Sequence, residues 1–208
     1  MLLPLANLAD ISSGLTLRGS DAAKAAADGN YHLLRIGDLR EDGSIQIDAP
    51  AKIKIDPNIG DKHRLRAGDV VVASKGSRAT AAVFDSSIPT VAGGQFFVIK
   101  QKTARVLPAY LRWYLNLPET QARLMESARG SFVQAIPIAA MREFQIELPS
   151  LETQHRIVRL HELHNEEQRL MKLIAAKRSQ LVQTQIAALA AGKLPAASNS
   201  THHAIKQP

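Results

Sequence analysis

Four short stretches of this chain combine small residues with cationic or amide side chains. They are Lys75-Gly76-Ser77-Arg78, Arg129-Gly130-Ser131-Phe132-Val133-Gln134, Lys62-His63-Arg64-Leu65-Arg66 and Arg18-Gly19-Ser20. Their chemistry is that of binding. Lysine and arginine reach phosphates or guanine edges, glutamine pairs with adenine, serine holds phosphate oxygens, and glycine exposes backbone N–H groups. Each stretch alone is also what an ordinary solvated loop looks like. Four in one basic chain bring the nucleic-acid reading level with that plainer one.

Bond-making chemistry finds no comparable support. The chain has no G-x-x-x-x-G-K-S/T loop, no G-x-G-x-x-G after a strand and no G-x-S-x-G elbow. His161-Glu162-Leu163-His164 is one residue short of the H-E-x-x-H zinc pattern, so these histidines read as solvated or seam residues of a helix. His202 and His203 read as part of a flexible end. Asp38, Asp42 and Asp69 are scattered through turns and form no paired-carboxylate arrangement. No catalytic residue, metal site or cofactor is expected.

Composition sets the frame. The chain has 208 residues, enough for one domain and an extension, and its 45% apolar content supports a real core. Lysine and arginine number 26 against 19 acids, a net charge of +7 that favours a polyanionic partner. The pI is about 9.9. There is no cysteine, which excludes disulfides and thiolate zinc sites and fits a cytoplasmic location. No apolar run reaches the roughly 18 residues a membrane span needs. The start, MLLPLANLADISSG, lacks the basic region of a signal peptide.

The elements that position the basic loops read as one mixed α+β domain over residues 1–149. Leu5 to Ile11 reads as a short helix or turn, and Ala22 to Ala27 as one helical turn. Strands are predicted at Tyr31–Ile36, Ser44–Asp48, Lys52–Ile55, Leu65–Ser74, Thr80–Phe84 and Gln95–Ile99, with a last one at Phe144–Leu148. Asp56-Pro57-Asn58 reads as a break. Leu65–Ser74, with three consecutive valines, is the strongest core strand. PAYLRWYLN (Pro108–Asn116) reads as a helix with proline in its first turn, and Pro118–Ala128 as a second.

A long helix is predicted from Leu151 to Ala191, within a segment of residues 150–192. Ser150 is its N-cap candidate, although Thr153 stands where Glu or Gln would complete a capping box. No Gly or Pro interrupts it before Gly192, and Pro195 reinforces the stop. Such a helix is on the order of 60 Å long. Ile157, Leu160, Leu163, Leu170, Ile174 and Leu181 anchor an apolar stripe at spacings of three and four, with Leu173, Ile186 and Leu189 widening it. The stripe suits packing against another long helix, coiled-coil fashion, more than folding back on its own domain. Residues 193–208 read as a disordered tail.

The order of these pieces resembles the specificity (S) subunit of type I restriction–modification systems. The resemblance is carried by YHLLRIGDLREDGSI, LRAGDVVVASKGS, LPAYLRWYLN, the most specific block RGSFVQAIPIAAMREFQIELPSLETQHRIV, and the ending IAALAAGKL. No single motif is strong; their order over residues 5–195 is. The resemblance implies a target recognition domain that reads one half of a split DNA sequence, followed by a helix that pairs with a second one as a spacer. A full subunit carries this unit twice, whereas this chain carries it once. That implies a half-length form, a homodimer through the helix, and an interrupted palindrome as target. Smaller departures are LPSLETQ in place of the commoner LPPLEEQ, and His161 and His164 at helix positions that are often apolar or acidic.

The implied function is sequence-specific DNA recognition with no catalysis of its own. The implied partners are double-stranded DNA and a methyltransferase (modification) subunit, with a restriction/translocase subunit as an optional addition. Phosphate contacts are expected from Lys62, Arg64, Arg66 and Lys75, base contacts from Arg78, Gln95, Ser131 and Gln134, with Ser77 and Arg129 completing the surface. One alternative is an interaction or scaffold protein of a related phage-defence system that uses the long helix to bind a partner and does not bind DNA. Another is an unrecognised enzyme, which would show a cleft with strongly perturbed acids or histidines.

Overall fold

The computed structural model describes residues 1–17, 28–47, 51–128 and 134–192. The expected turn at Ala22–Ala27, the loops at Arg18-Gly19-Ser20 and Arg129–Val133, and the tail lie outside the described residues. The chain divides into two units, Met1–Leu160 and His161–Pro208.

The first unit is built on β5 (Val70–Ala73), the centre of a four-stranded antiparallel sheet. The sheet runs β2 (Ala9–Ser13), β8 (Phe96–Gln101), β5, β6 (Ala81–Val83), with Val71 opposite Val98 on one side and Ala82 on the other. Val70 and Val72 point into one apolar cluster with Ile11, Phe97 and Ile99; Val71 points into another with Phe84, Phe96 and Val98. Both faces are covered, which is why the strand is a continuous valine run instead of an alternating one. The first face is closed by α2 (Pro108–Asn116), α3 (Pro118–Glu126) and α4 (Ile138–Glu143), through Tyr110, Leu111, Leu115, Leu124 and Met141. Burial pushes the Tyr110 hydroxyl up to about 12, and it donates to the Glu147 carbonyl at 2.7 Å.

The other cluster is completed by Leu34 and Ala92 from a three-stranded sheet of β4 (Ala51–Ile53), β3 (Tyr31–Leu34) and β7 (Thr90–Ala92). β3 pairs antiparallel to β4 and parallel to β7. A third, two-stranded sheet joins β1 (Leu2–Pro4) to β9 (Gln145–Glu147), bringing the start of the chain beside the approach to the long helix.

Several elements depart from the sequence reading. Ser44–Asp48 is no strand over its described part: Ile45 makes one bridge to Leu39, and Ile45 and Ile47 pack half-buried on the second cluster. A half-buried loop alternates as a strand does. Asp56-Pro57-Asn58 starts a helix, α1 (Pro57–His63), because the Asp56 carboxylate accepts from the Asn58 N–H at 2.8 Å and proline fits the first turn. Gly60 lies against the Tyr31 ring, where a Cβ would collide, and Tyr31 donates to Asp61 at 2.6 Å. β1, β7 and α4 are elements the sequence reading did not contain. Leu5 to Ile11 splits into a 3-10 turn (Leu5–Asn7) and the start of β2.

The long helix, α5, spans Leu151–Ala190. Ser150 caps it: its hydroxyl accepts from the Thr153 N–H at 3.2 Å and lies 2.9 Å from the Thr153 hydroxyl. Gly192, at φ +69, ends it, since only glycine takes that conformation without cost. Within the first unit, Gln154 is fully buried, and Ile157 and Val158 pack against the main core. The second unit begins at His161 and carries the rest of the helix, with Leu163, Leu170, Leu173, Ile174, Leu181 and Ile186 all exposed. Among the described residues, no helix is long and apolar enough to cross a membrane.

Candidate nucleic-acid interface

β5 organises the candidate residues, and it separates them. Lys62, Arg64 and Arg66 precede the strand; Lys75, Ser77 and Arg78 follow it. Four strand residues alone put about 13 Å between the two groups.

The leading group sits on a tied-down turn. Lys62 is in the last turn of α1 and Arg64 caps it, bridging to Val91 of β7. The buried Asp69 carboxylate accepts from the Arg66 N–H at 2.9 Å and has the Lys100 ammonium 3.7 Å away. Lys100 also donates to the Arg64 carbonyl at 2.9 Å. Lys62, Arg64 and Arg66 are themselves exposed. Burial, reinforced by the charges of Lys62 and Lys100, holds His63 below its ordinary value. Asp69 is displaced the other way: burial raises it against the pull of the Arg66 N–H and Lys100.

The trailing group is assembled by three segments meeting at the end of β5. Ser74 donates its N–H to the Gln95 carbonyl at 2.8 Å and accepts from the Ile136 N–H at 2.9 Å. Lys75 bridges to Ala135, and Gly76 donates to the Gln134 carbonyl at 3.0 Å. Gly76 stands at φ +112, a conformation that favours glycine. Beyond Arg78, the Gln121 side chain holds Ala79 by both its backbone groups, and Asn116 does the same for Ala81. These amides satisfy the edge of β6, an edge strand, and the residues leading into it, and fix the chain just after Arg78, as the Gly76–Gln134 bond fixes it just before Ser77. Lys75, Ser77, Arg78, Gln95 and Gln134 are therefore neighbours, and all are exposed.

Two hollows meet at Lys75. One, of about 310 Å³, is lined by Ile36, Glu41, Lys75, Ser77, Arg78 and Thr80 among others. Its neighbour, of about 470 Å³, has Arg35, Lys75 and Gln95 around a floor that includes Gly93 and Gly94. A Cβ on Gly94 would come within 2.7 Å of the Thr16 hydroxyl, so a larger residue there would push that side chain aside. Among the described residues, Arg35, Lys75 and Arg78 form no side-chain ion pair.

Sequence reasoning set Lys75 with Lys62, Arg64 and Arg66 as a phosphate contact, whereas the fold places it beside Arg78, Gln95 and Gln134 at the other end of β5. It missed Arg35 and Glu41, which only the fold brings to Lys75; the signal was a cation and an acid beside the turn residues Gly37 and Gly43. Arg129 and Ser131 lie outside the described residues. Of the helix residues, Leu160, Leu163, Leu170, Ile174 and Leu181 are exposed, between 43% and 70%. Ile157 differs, being half-buried on the domain core, so it is not part of a free face. His161 lies 3.0 Å from Asn165, and His164 3.9 Å from Glu167, all four residues being on α5. Among the described residues no group of acids and histidines could hold a metal.

Known proteins share this fold. The family described as "Type I restriction modification DNA specificity domain" matches residues 3–177. No curated protein matches. Among solved structures, a chain from work on complex assembly and conformational transition of the type I R-M system has a TM-score of 0.68 at 18% identity, covering 93% of this chain and 45% of that one. The type I restriction-modification S subunit of M. genitalium gives 0.55 at 17%, covering 86% and 42%. The HsdS subunit of Thermoanaerobacter tengcongensis gives 0.51 at 20%, covering 86% and 39%. The likeness is one of fold, and the chain spans less than half the length of each.

Proposed function

Given that the chain belongs to the type I restriction–modification DNA specificity domain family, we propose that it is a sequence-specific DNA-recognition subunit without catalysis of its own. The observation that carries this reading is the convergence of Lys75, Ser77, Arg78, Gln95 and Gln134 at one end of β5. Three separate segments present cations and amides there on a braced framework, as base reading requires. Lys62, Arg64 and Arg66, at the other end of the strand, contact phosphates and set orientation. From the sequence alone, Ser131 is assigned to a base edge and Arg129 to the same DNA-contacting set.

The helix supplies the assembly. Its exposed stripe at Leu160, Leu163, Leu170, Ile174 and Leu181 pairs two copies, which present two identical domains to an interrupted palindrome. The homodimer recruits a methyltransferase subunit, and a restriction subunit where the system has one.

The test is selection of bound duplexes from a randomised pool by the full chain. An enriched interrupted palindrome is expected. No enriched sequence overturns DNA recognition, and an enriched site without two-fold symmetry overturns the homodimer.

A further inference from the structure

The smaller of the two hollows holds a carboxylate among its cations. Glu41 is the one acid among its described lining residues, which also include Lys75, Arg78, Ser77 and Thr80 beside the apolar Ile36, Leu39 and Ala73. For a surface that only neutralised phosphates, an acid in this place is a defect, since it repels the backbone that the two cations attract. Nor does it serve as their counter-ion: among the described residues the Glu41 carboxylate forms no ion pair or hydrogen bond.

Its position is built. The turn that carries Glu41 is closed by the Arg40 N–H to the Ser44 carbonyl at 2.9 Å and the Gly43 N–H to the Arg40 carbonyl at 3.0 Å. Asp42 accepts from both the hydroxyl and the N–H of Ser44, at 2.6 and 2.9 Å. Gly43, at φ +77, is pressed against β6 and α2, where a Cβ would lie 2.7 Å from the Ala81 carbonyl and 2.9 Å from the Asn116 amide. The opposite wall is fixed through Gln134 and Gln121. Two braced loops thus hold an acceptor and two donors around one concavity.

An ionised carboxylate only accepts hydrogen bonds. In the major groove, cytosine offers the N4 amino group and adenine the N6 amino group, while guanine and thymine present acceptors at the matching place. A fixed carboxylate therefore accepts a bond from cytosine or adenine and repels guanine or thymine. This is discrimination by repulsion as much as by attraction. We propose that Glu41 is a specificity-determining residue that accepts from the exocyclic amino group of one base in each half-site, while Arg78 donates to the O6 and N7 of a nearby guanine. The inference rests on the DNA-recognition reading above and assigns one position of it.

The experiment repeats the duplex selection with the full chain, Glu41→Ala and Glu41→Gln. Glu41 is exposed, so equal thermal unfolding of all three proteins shows that the comparison is one of folded molecules. The wild-type motif is expected to demand cytosine or adenine at one position per half-site. Glu41→Ala loses about tenfold discrimination there and keeps it elsewhere, with binding to unrelated duplex increased. Glu41→Gln, which donates as well as accepts, admits guanine or thymine at that position. A wild-type motif unchanged at every position in both variants removes Glu41 from base reading and leaves DNA recognition standing. Uniform loss at all positions overturns the assignment too, because it marks a structural role. A wild type that enriches nothing overturns the reading on which the inference rests.

Discussion

The Gln121 side-chain amide pairs with both backbone groups of Ala79, accepting its N–H and donating to its carbonyl, each at 2.9 Å. The same amide donates to the Leu115 carbonyl at 2.6 Å. Gln121 thus acts as a short piece of strand that closes the edge of β6 and fixes the residue next to Arg78. Gln121→Leu keeps the approximate volume and strands buried backbone groups, with an expected cost of about 1–3 kcal/mol. Urea denaturation checks the cost, and hydrogen exchange at Ala79 checks its place. An unchanged exchange rate there would mean that the loop is held by other contacts.

Gln154 plays the matching part at the start of α5. It is fully buried, accepts from the Leu107 N–H at 2.9 Å, and donates to the Arg105 and Pro149 carbonyls at 2.8 and 3.0 Å. It ties the first turn of the helix to the entry of α2. Gln154→Leu is expected to cost about 3 kcal/mol, most of it the desolvation of groups left unpaired. Limited proteolysis should open first around Arg105 and Arg156. Wild-type stability in this variant would show that the three bonds are dispensable.

These two amides mark where sequence reading stops. α2 was legible as PAYLRWYLN because proline, spacing and aromatic content all agree over Pro108–Asn116. β5 was legible from three valines, and α5 from an unbroken run of helix formers ending at Gly192. The roles of Gln121 and Gln154 depend on backbone groups 42 and 47 residues away, and no local pattern encodes such a pairing. α1 was hidden because Asp-Pro-Asn both breaks strands and starts helices; here the Asp56 cap starts the helix and Gly60 seats it against Tyr31. The same limit explains the site. Each basic loop was visible alone, but their division into two groups by β5, and the arrival of Arg35 and Glu41 beside Lys75, are products of topology.

Asp69 gives stability a pH dependence of definite sign. Burial raises its carboxyl above the ordinary 3.8. An acid with a higher value folded than unfolded contributes stability that is complete below the unfolded value and lost as pH rises through the folded one. Asp69→Asn fixes the neutral form and keeps an acceptor for the Arg66 N–H. Its stability relative to wild type should therefore rise with pH from 3.8 upward and level off once Asp69 is fully ionised. His63, shifted down by burial, acts in the opposite sense but is present in both proteins and cancels. Urea midpoints across the acid range test this, and a difference that does not vary with pH refutes it.

The two basic groups should separate in salt titrations. If Lys62 and Arg66 neutralise phosphates, replacing both with alanine weakens binding to every duplex alike and lowers the salt slope by about 0.9 for each phosphate left without its cation. Charge reversal at Lys75 and Arg78 should weaken binding at moderate salt as well, and Arg78→Ala should also relax base preference. Equal slopes for Lys62→Ala/Arg66→Ala and wild type would take that end of β5 out of the interface.

Ile157 and Leu170 belong to the same apolar stripe by spacing, yet they face different fates. Ile157 is half-buried against the domain core, while Leu170 is 43% and Ile174 53% exposed. Polar substitution should distinguish them. Leu170→Gln with Ile174→Gln removes apolar surface that the isolated chain leaves in water, so thermal unfolding of the domain should barely move. If those residues form the seam of a helix pair, the same double variant should sediment as a 22.6 kDa monomer where the wild type sediments as a dimer. Ile157→Gln should do the reverse, lowering domain stability by about 2 kcal/mol through reduced burial while the helix seam persists. Sedimentation equilibrium over a concentration series, paired with thermal unfolding, reads both quantities. A double variant that remains dimeric places the seam on another face, with Met171, Val182 and Leu189 as its exposed apolar residues. A wild type that is monomeric at every concentration means that the stripe meets a different chain.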